Sequence, residues 1–120
     1  MTKIFCVLIL IMALNGCATG GSLVKKSVRV NNGDTKQQVL SLFGEPGDRQ
    51  FKEDDEVWQY CKTDLVGFSG DKYVMIWFYR DKVIGVSTYN NNAEFGLCSS
   101  FFKTVNWEDA PDRTIEVRSR

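Results

Sequence analysis

Histidine is missing from this chain of 120 residues. Because histidine is the commonest general base and metal ligand, its absence argues against most hydrolytic and metal-dependent sites. The sequence also lacks a G-x-S-x-G nucleophile motif and a glycine-rich loop for phosphate. We therefore predict that the protein is not an enzyme and that it binds no cofactor and no metal.

Charge of one sign is not in excess, since 15 basic residues face 15 acidic residues. A chain without a basic block is not typical of a nucleic-acid-binding protein, so we expect no nucleic acid as partner. The acidic run at residues 53–56 lacks the spaced oxygen ligands and the turn glycine of an EF-hand loop. This pattern predicts a solvent-exposed acidic loop rather than a calcium site.

No apolar run is long enough to cross a bilayer as a helix, which takes roughly 20 residues. The longest run, residues 4–14, has eleven residues and follows Lys3. Its length is that of the apolar part of a secretory signal, about 7–15 residues. The run leads into Leu-Asn-Gly-Cys at residues 14–17, which resembles a bacterial lipoprotein signal peptide. The alternative is an ordinary secretory signal with a coincidental cysteine.

The lipoprotein resemblance implies cleavage between Gly16 and Cys17 and attachment of lipid to Cys17. Two or more acyl chains, at about 0.8 kcal/mol per buried methylene, anchor a protein stably to a membrane. Ala18 follows, whereas an aspartate there tends to retain such lipoproteins at the inner membrane. The resemblance therefore implies the periplasmic face of the outer membrane, with a signal peptide at 1–16 and a lipidated, flexible tether at 17–29.

Cysteine usage agrees with export. Cys6 would leave with the signal and Cys17 would carry lipid, which leaves Cys61 and Cys98. Two remaining thiols in an oxidising compartment are expected to form a disulfide. A redox or metal-binding pair is the rival interpretation, and it is disfavoured because the two are 37 positions apart without a C-x-x-C motif.

One helix is predicted over residues 35–44. Thr35 and Gln38 have the spacing of a capping box at the helix start. Gly44 and Pro46 are typical of a helix end. The apolar residues that would share one face are Val39, Leu42 and Phe43.

Strands are predicted at residues 57–61 and in a hairpin, 73–79 and 83–89, with a turn at 80–82. In the return strand we expect Ile84, Val86 and Thr88 to share a face. Residues 23–30 are expected to form a short strand or an extended arm. The fold class is therefore α+β, with one or two helices packed on a small antiparallel sheet of three or four strands.

The string G-D-T-K-Q-Q-V-L-S-L-F-G-E-P at residues 33–46, followed by Trp-Gln-Tyr at 58–60 and a hairpin, resembles the SmpA/OmlA (BamE-like) family. The resemblance implies a two-layer BamE-like domain, here at residues 30–92. We expect residues 93–120 to form an extension that packs on this domain and is held by the Cys61–Cys98 disulfide. For function, the family implies a lipoprotein that supports assembly of outer-membrane β-barrel proteins.

We therefore expect a binding or scaffold module that contacts another envelope protein, in outer-membrane protein assembly or in envelope maintenance. One alternative is a periplasmic inhibitor or immunity-type protein that inserts a loop at 64–71, including Phe68, into an enzyme cleft. A second alternative is an envelope-stress signalling lipoprotein. Aromatic residues outside the regular sheet are candidates for partner contact because aromatics are enriched at binding hot spots: Phe101, Phe102 and Trp107.

Overall fold

The computed structural model describes residues 22–63, 70–91 and 96–113. Its strands form one antiparallel sheet in the order β1-β2-β3-β4, which confirms the predicted α+β class. The elements are helices α1 (Leu23–Ser27) and α2 (Lys36–Phe43), strands β1 (Asp48–Lys52), β2 (Asp55–Lys62), β3 (Asp71–Tyr79) and β4 (Lys82–Asn91), and 3₁₀ turns at Cys98–Ser100 and Trp107–Asp109.

Helix α2 begins and ends where its sequence predicts. The Thr35 hydroxyl accepts from the Gln38 N–H at 3.2 Å, and the Gln38 side chain accepts from the Thr35 N–H at 2.8 Å. This reciprocal capping box satisfies two backbone donors that the first turn leaves unpaired. Gly44 ends the helix with a positive φ of 77°, and its N–H donates to the Leu40 carbonyl.

The β3–β4 hairpin closes through a two-residue turn. Arg80 and Asp81 both have positive φ, 47° and 65°, as a type I′ turn requires. The pairing shifts between Trp77 and Phe78, which leaves one extra residue on β4. The prediction that Ile84 shares a face with Val86 is therefore wrong, because a β-bulge turns Ile84 to the opposite side of the sheet.

Both helices pack on one face of the sheet. The helix-side core consists of Val39, Trp58, Tyr60, Val74, Ile76, Phe78 and Val83. Leu23 and Val30 pack against it from the N-terminal segment. The prediction of a strand or extended arm at 23–30 is wrong, because Ser22 caps a short helix by accepting from the Lys25 N–H. Leu23 and Ser27, which lie in the segment assigned to the tether from sequence, are thus packed on the domain.

The C-terminal extension covers the other face of the sheet. The extension-side core consists of Val57, Met75, Trp77, Ile84 and Val105. Trp107 and Ala110 of the extension pack at its border. Since both faces are covered, the sheet is the middle layer of the described structure, and the extension is an irregular third layer.

The acidic run at residues 53–56 is not a solvent-exposed loop throughout, so that prediction is wrong in its second half. Glu53 lies in the β1–β2 turn with a φ of 56°. Asp55 and Glu56 begin β2 and are each 7% exposed. Their burial is possible because each carboxylate has a cationic partner, Arg113 for Asp55 and Lys36 for Glu56.

Candidate functional site

A disulfide joins the end of β2 to the beginning of the extension. Cys61 and Cys98 are bonded, with their sulfurs 2.03 Å apart, which confirms the predicted pair. Two hydrogen bonds add to this attachment: the Tyr73 hydroxyl donates to the Cys98 carbonyl at 2.9 Å, and the Cys98 N–H donates to the Thr63 hydroxyl at 3.0 Å. The extension is therefore held at its start by covalent and polar contacts together.

A buried polar clasp holds the middle of the extension; we use this name for Gln50, Gln59, Tyr89 and Lys103. The Gln59 side chain is fully buried, and its Nε2 donates to the Lys103 carbonyl at 2.8 Å. Its Oε1 accepts from the Tyr89 hydroxyl. Gln50 donates to the same Lys103 carbonyl and accepts from the Val105 N–H at 2.8 Å. A buried amide without partners is costly, so this clasp fixes where the extension crosses the sheet.

Sequence reasoning missed the clasp, although a signal was present. Gln59 stands in an otherwise apolar strand, at the same parity as Val57 and Cys61. A glutamine at such an inward position requires buried hydrogen-bond partners. The strand pattern alone does not say which segment supplies them.

A groove of about 150 Å³ lies between β4 and the extension. Its rim includes Lys103, whose ammonium lies 4.5 Å from the centre of the Tyr89 ring. The Trp77 indole N–H is already used, since it donates to the Ser87 hydroxyl at 3.0 Å. Ligand pockets usually span about 300–1,000 Å³, so this groove suits one side chain of a protein partner better than a free substrate. The lining residues are Met75, Trp77, Ser87, Thr88, Tyr89, Lys103, Asn106 and Asp109.

On the helix side, Lys36 links helix α2 to β2 and to the β3–β4 turn. Its ammonium pairs with Glu56 and, at 2.8 Å, with Asp81. Burial lowers the pKa of Lys36, but hydrogen bonds and charge from Asp81 and Glu56 outweigh burial and raise the pKa above the usual 10.5. The same hydrogen bond holds the pKa of Asp81 below its usual value. Lys36 therefore stays protonated near neutral pH and acts as a structural cation between the two carboxylates.

Three tyrosines are also held protonated. Burial raises the pKa of Tyr60, Tyr73 and Tyr89 above the usual 10.0. Each hydroxyl donates to a specific acceptor; that of Tyr60 donates to the Gly44 carbonyl at 2.9 Å. Tyr60 and Tyr73 thus connect the sheet to the helix layer and to the extension by donating, whereas Tyr89 donates to Gln59 within the sheet and accepts from the Lys103 N–H of the extension.

The far end of the described extension contacts the beginning of β2. Arg113 donates to the Asp55 carboxylate at 2.7 Å, and its guanidinium lies 4.8 Å from the centre of the Tyr79 ring. Pro111 packs closely over Gly85, where a β-carbon would lie 2.4 Å from the proline Cγ. The glycine is therefore needed for the extension to approach β4.

The aromatic residues predicted for partner contact are half-buried against the sheet. Phe102 packs edge-on to Tyr73, with ring centres 5.7 Å apart, and it lies over Gly47. Trp107 packs edge-on to Trp77 at 6.1 Å. Phe102 and Trp107 thus have a packing role, and contact of these two rings or of Phe101 with a partner stays a prediction. Gly16, Cys17 and Phe68, which carry the anchor and loop predictions, lie outside the described residues.

The most exposed large apolar side chain in a described strand is Phe51, which is 67% exposed on β1. It lies on the helix side of the sheet, on the same face of β1 as Arg49. The Arg49 guanidinium lies 4.8 Å from the centre of the Trp58 ring and pairs with Glu45 at 2.6 Å. This edge is a second candidate contact surface besides the groove.

Within residues 22–63, 70–91 and 96–113, no helix reaches the length and apolarity of a membrane span. The same residues contain no cluster of three or more acidic or cysteine side chains suited to a metal ion. Comparisons with protein-family models, with curated proteins and with solved structures found no match to this chain.

Proposed function

We propose that this protein is a lipid-anchored envelope protein that binds another protein and has no catalytic activity. Two independent features support export. The first is the apolar run that ends in the lipoprotein-like cleavage site at Cys17. The second, which carries the proposal, is the Cys61–Cys98 disulfide, because disulfides persist in oxidising compartments such as the periplasm.

The arrangement of titratable groups supports binding rather than catalysis. Lys36 is held protonated between two carboxylates, and the buried tyrosines are held protonated as donors. Groups of this kind stabilise the fold, whereas a catalytic acid or base needs a pKa near the working pH. Among the described residues, the groove and the exposed β1 edge are two surfaces that a partner could contact.

The short distance from the lipidation site to the domain supports a location at the membrane surface. Cys17 and Ser22 are five residues apart, which allows a reach of at most about 18 Å. A partner must therefore be accessible close to that membrane. The resemblance to the SmpA/OmlA family points to the outer membrane and to proteins that assemble or maintain β-barrels there.

Metabolic labelling with a palmitate analogue, followed by membrane fractionation, tests the anchor. We expect label and membrane association for the wild type, and loss of both for Cys17→Ser. The wild type in the soluble fraction without label would overturn the anchored location.

Crosslinking in intact cells, followed by purification through the domain, tests the binding role. Recovery of β-barrel assembly or maintenance proteins supports the proposal. Tight one-to-one recovery of a hydrolase would replace it with the inhibitor function, and recovery of an envelope kinase would replace it with stress signalling.

A further inference from the structure

We propose that strand β1 (Asp48–Lys52) pairs in antiparallel orientation with β1 of a second copy, around a two-fold axis at Gln50. The pairing would join the two sheets into one continuous sheet. This inference goes beyond the proposed function, since it concerns self-association and uses a surface that the groove does not include.

The β1 edge is open, whereas the β4 edge is partly occupied. Beyond β4, the Gly33 N–H donates to the Val83 carbonyl at 2.7 Å, and the Val83 N–H donates to the Asp34 carbonyl at 2.9 Å. Thr35 also bridges to Lys82. Within the described residues, β1 has β2 as its strand partner on one side and no strand on the other. An unpaired strand edge is a template for another strand.

The sequence of β1 is complementary to itself when reversed. Pairing around Gln50 places Asp48 opposite Lys52 of the second copy, so opposite charges lie opposite each other twice. Asp48 Oδ2 already accepts from the side chains of Gln50 and Gln59, so Lys52 would share this carboxylate with them. Opposite-charge pairs on neighbouring strands stabilise a sheet. In this register each of the five strand residues lies opposite a residue of the second copy; the Gln50 side chains stay bonded within the clasp of their own copy.

The same register covers the exposed aromatic ring. Arg49 is placed opposite Phe51 of the second copy, on the helix side of the sheet. The Arg49 guanidinium already lies on the Trp58 ring, 4.8 Å from its centre. Phe51, now 67% exposed, would therefore meet an oriented cation and an aromatic neighbour.

Neighbouring registers are less favourable. Side chains alternate between the two faces of a strand. If the helices of both copies are to lie on the same side of the joined sheet, the pairing of the two strands can therefore shift only in steps of two residues. One such shift places Arg49 opposite Arg49, and like charges in that position are destabilising. The opposite shift loses both Asp48–Lys52 pairs and places Phe51 opposite Phe51, a register in which Phe51→Cys alone would couple. Charge thus selects the register centred on Gln50.

The interface between the two β1 strands is small, so the choice of material for measuring the association matters. Stable interfaces bury about 1,200–2,000 Å², more than one pair of five-residue strands provides. Association is therefore weak in dilute solution. Copies anchored to one membrane meet at a higher effective concentration, so the full chain in native membranes is the material to test.

Cysteine coupling between two variants tests the register. Residues directly opposite in an antiparallel pair have Cα atoms about 4.5–5.5 Å apart, within the range for a disulfide. Membranes that contain both Arg49→Cys and Phe51→Cys should form the mixed disulfide about tenfold faster than membranes with either variant alone. The control pairs Phe51→Cys with Val28→Cys, a site on the N-terminal segment that is 78% exposed and therefore more accessible than Arg49, whose side chain is 42% exposed.

Charge reversal supplies the second measurement. Lys52→Asp added to the coupling pair should lower the mixed-disulfide yield roughly three- to tenfold, whereas Lys72→Asp, at an exposed lysine of β3, should not. Circular dichroism of each variant reports folding. In protein that fractionates with membranes, coupling no faster than in the Val28 control, or equal coupling for all combinations, overturns the pairing. If the protein does not fractionate with membranes, the anchor is overturned instead, and the same comparison in concentrated protein decides the pairing.

Discussion

Replacing both Cys61 and Cys98 by serine tests whether the extension is an integral layer of the domain. The bond closes a loop between positions 37 residues apart, and that loop contains β3 and β4. The loop-entropy relation gives a loss of about 4 kcal/mol for this length at 25 °C. The free energy of unfolding of a small domain is about 5–15 kcal/mol in total, so the double variant should lose a large part of its stability.

The native structure of this double variant should persist under mild conditions, because the extension has other attachments. The polar clasp bonds its backbone at Lys103 and Val105, and Trp107 packs on Trp77. The destabilisation then arises mainly in the unfolded chain, which gains freedom. For a domain of about 100 residues, the melting temperature should fall by roughly 15–30 °C.

Urea unfolding followed by tryptophan fluorescence and by far-ultraviolet circular dichroism measures this effect. Both probes should give one coincident transition, in the oxidised wild type and in the double-serine variant. Wild-type protein unfolded in the presence of a reductant is the matched control, and it should behave as the variant does. Two separate transitions, or a loss below about 1 kcal/mol, would show that the extension is an appendage whose bond does not constrain the sheet.

Three further perturbations test other contacts. Gly85→Ala should destabilise by about 1–3 kcal/mol in urea unfolding, because its β-carbon would lie 2.4 Å from Pro111. Lys36→Met should cost about 1–3 kcal/mol near neutral pH, because it leaves the buried Glu56 carboxylate without its cation. Since the pKa of Lys36 is raised, its contribution to the free energy of unfolding is complete below pH 10.5 and is lost as the pH rises through the raised pKa. The free energies of unfolding of wild type and Lys36→Met should therefore converge over an alkaline pH series. In the near-ultraviolet tyrosinate titration, native protein should ionise at higher pH than urea-unfolded protein, and stability should fall above pH 10, because burial raises the pKa of Tyr60, Tyr73 and Tyr89.

Local chemistry explains which elements were predictable from sequence. The capping box of Thr35 and Gln38 acts within one helical turn, so α2 is readable from a few residues. The β3–β4 hairpin is readable because large apolar residues flank a short polar turn. Strand β1 was not predicted, because Asp-Arg-Gln-Phe-Lys is mostly polar and becomes a strand through pairing with β2.

The clasp and the buried acids were less predictable because their partners are distant in sequence. Gln59 bonds to Lys103, 44 residues away, and Arg113 bonds to Asp55, 58 residues away. A pattern of alternating residues shows that a position faces inward, but it does not identify the group that meets it. The burial of Asp55 and Glu56 depends on such partners, so composition alone placed them in solvent.

The covering of both sheet faces limits how the domain meets another protein. Phe102 and Trp107 were predicted to contact a partner because they lie outside the regular sheet, yet the ring of each packs on an aromatic ring of the sheet. Exposing either ring would uncover part of the extension-side core, and the disulfide and clasp oppose that movement. Since backbone contacts already occupy part of the β4 edge, the groove beside Lys103 and the β1 edge with Phe51 are two surfaces that a partner can reach without rearrangement in the described part of the chain. If copies pair through β1, the groove stays accessible to a different protein, and substitutions at the two surfaces should affect self-association and partner binding separately.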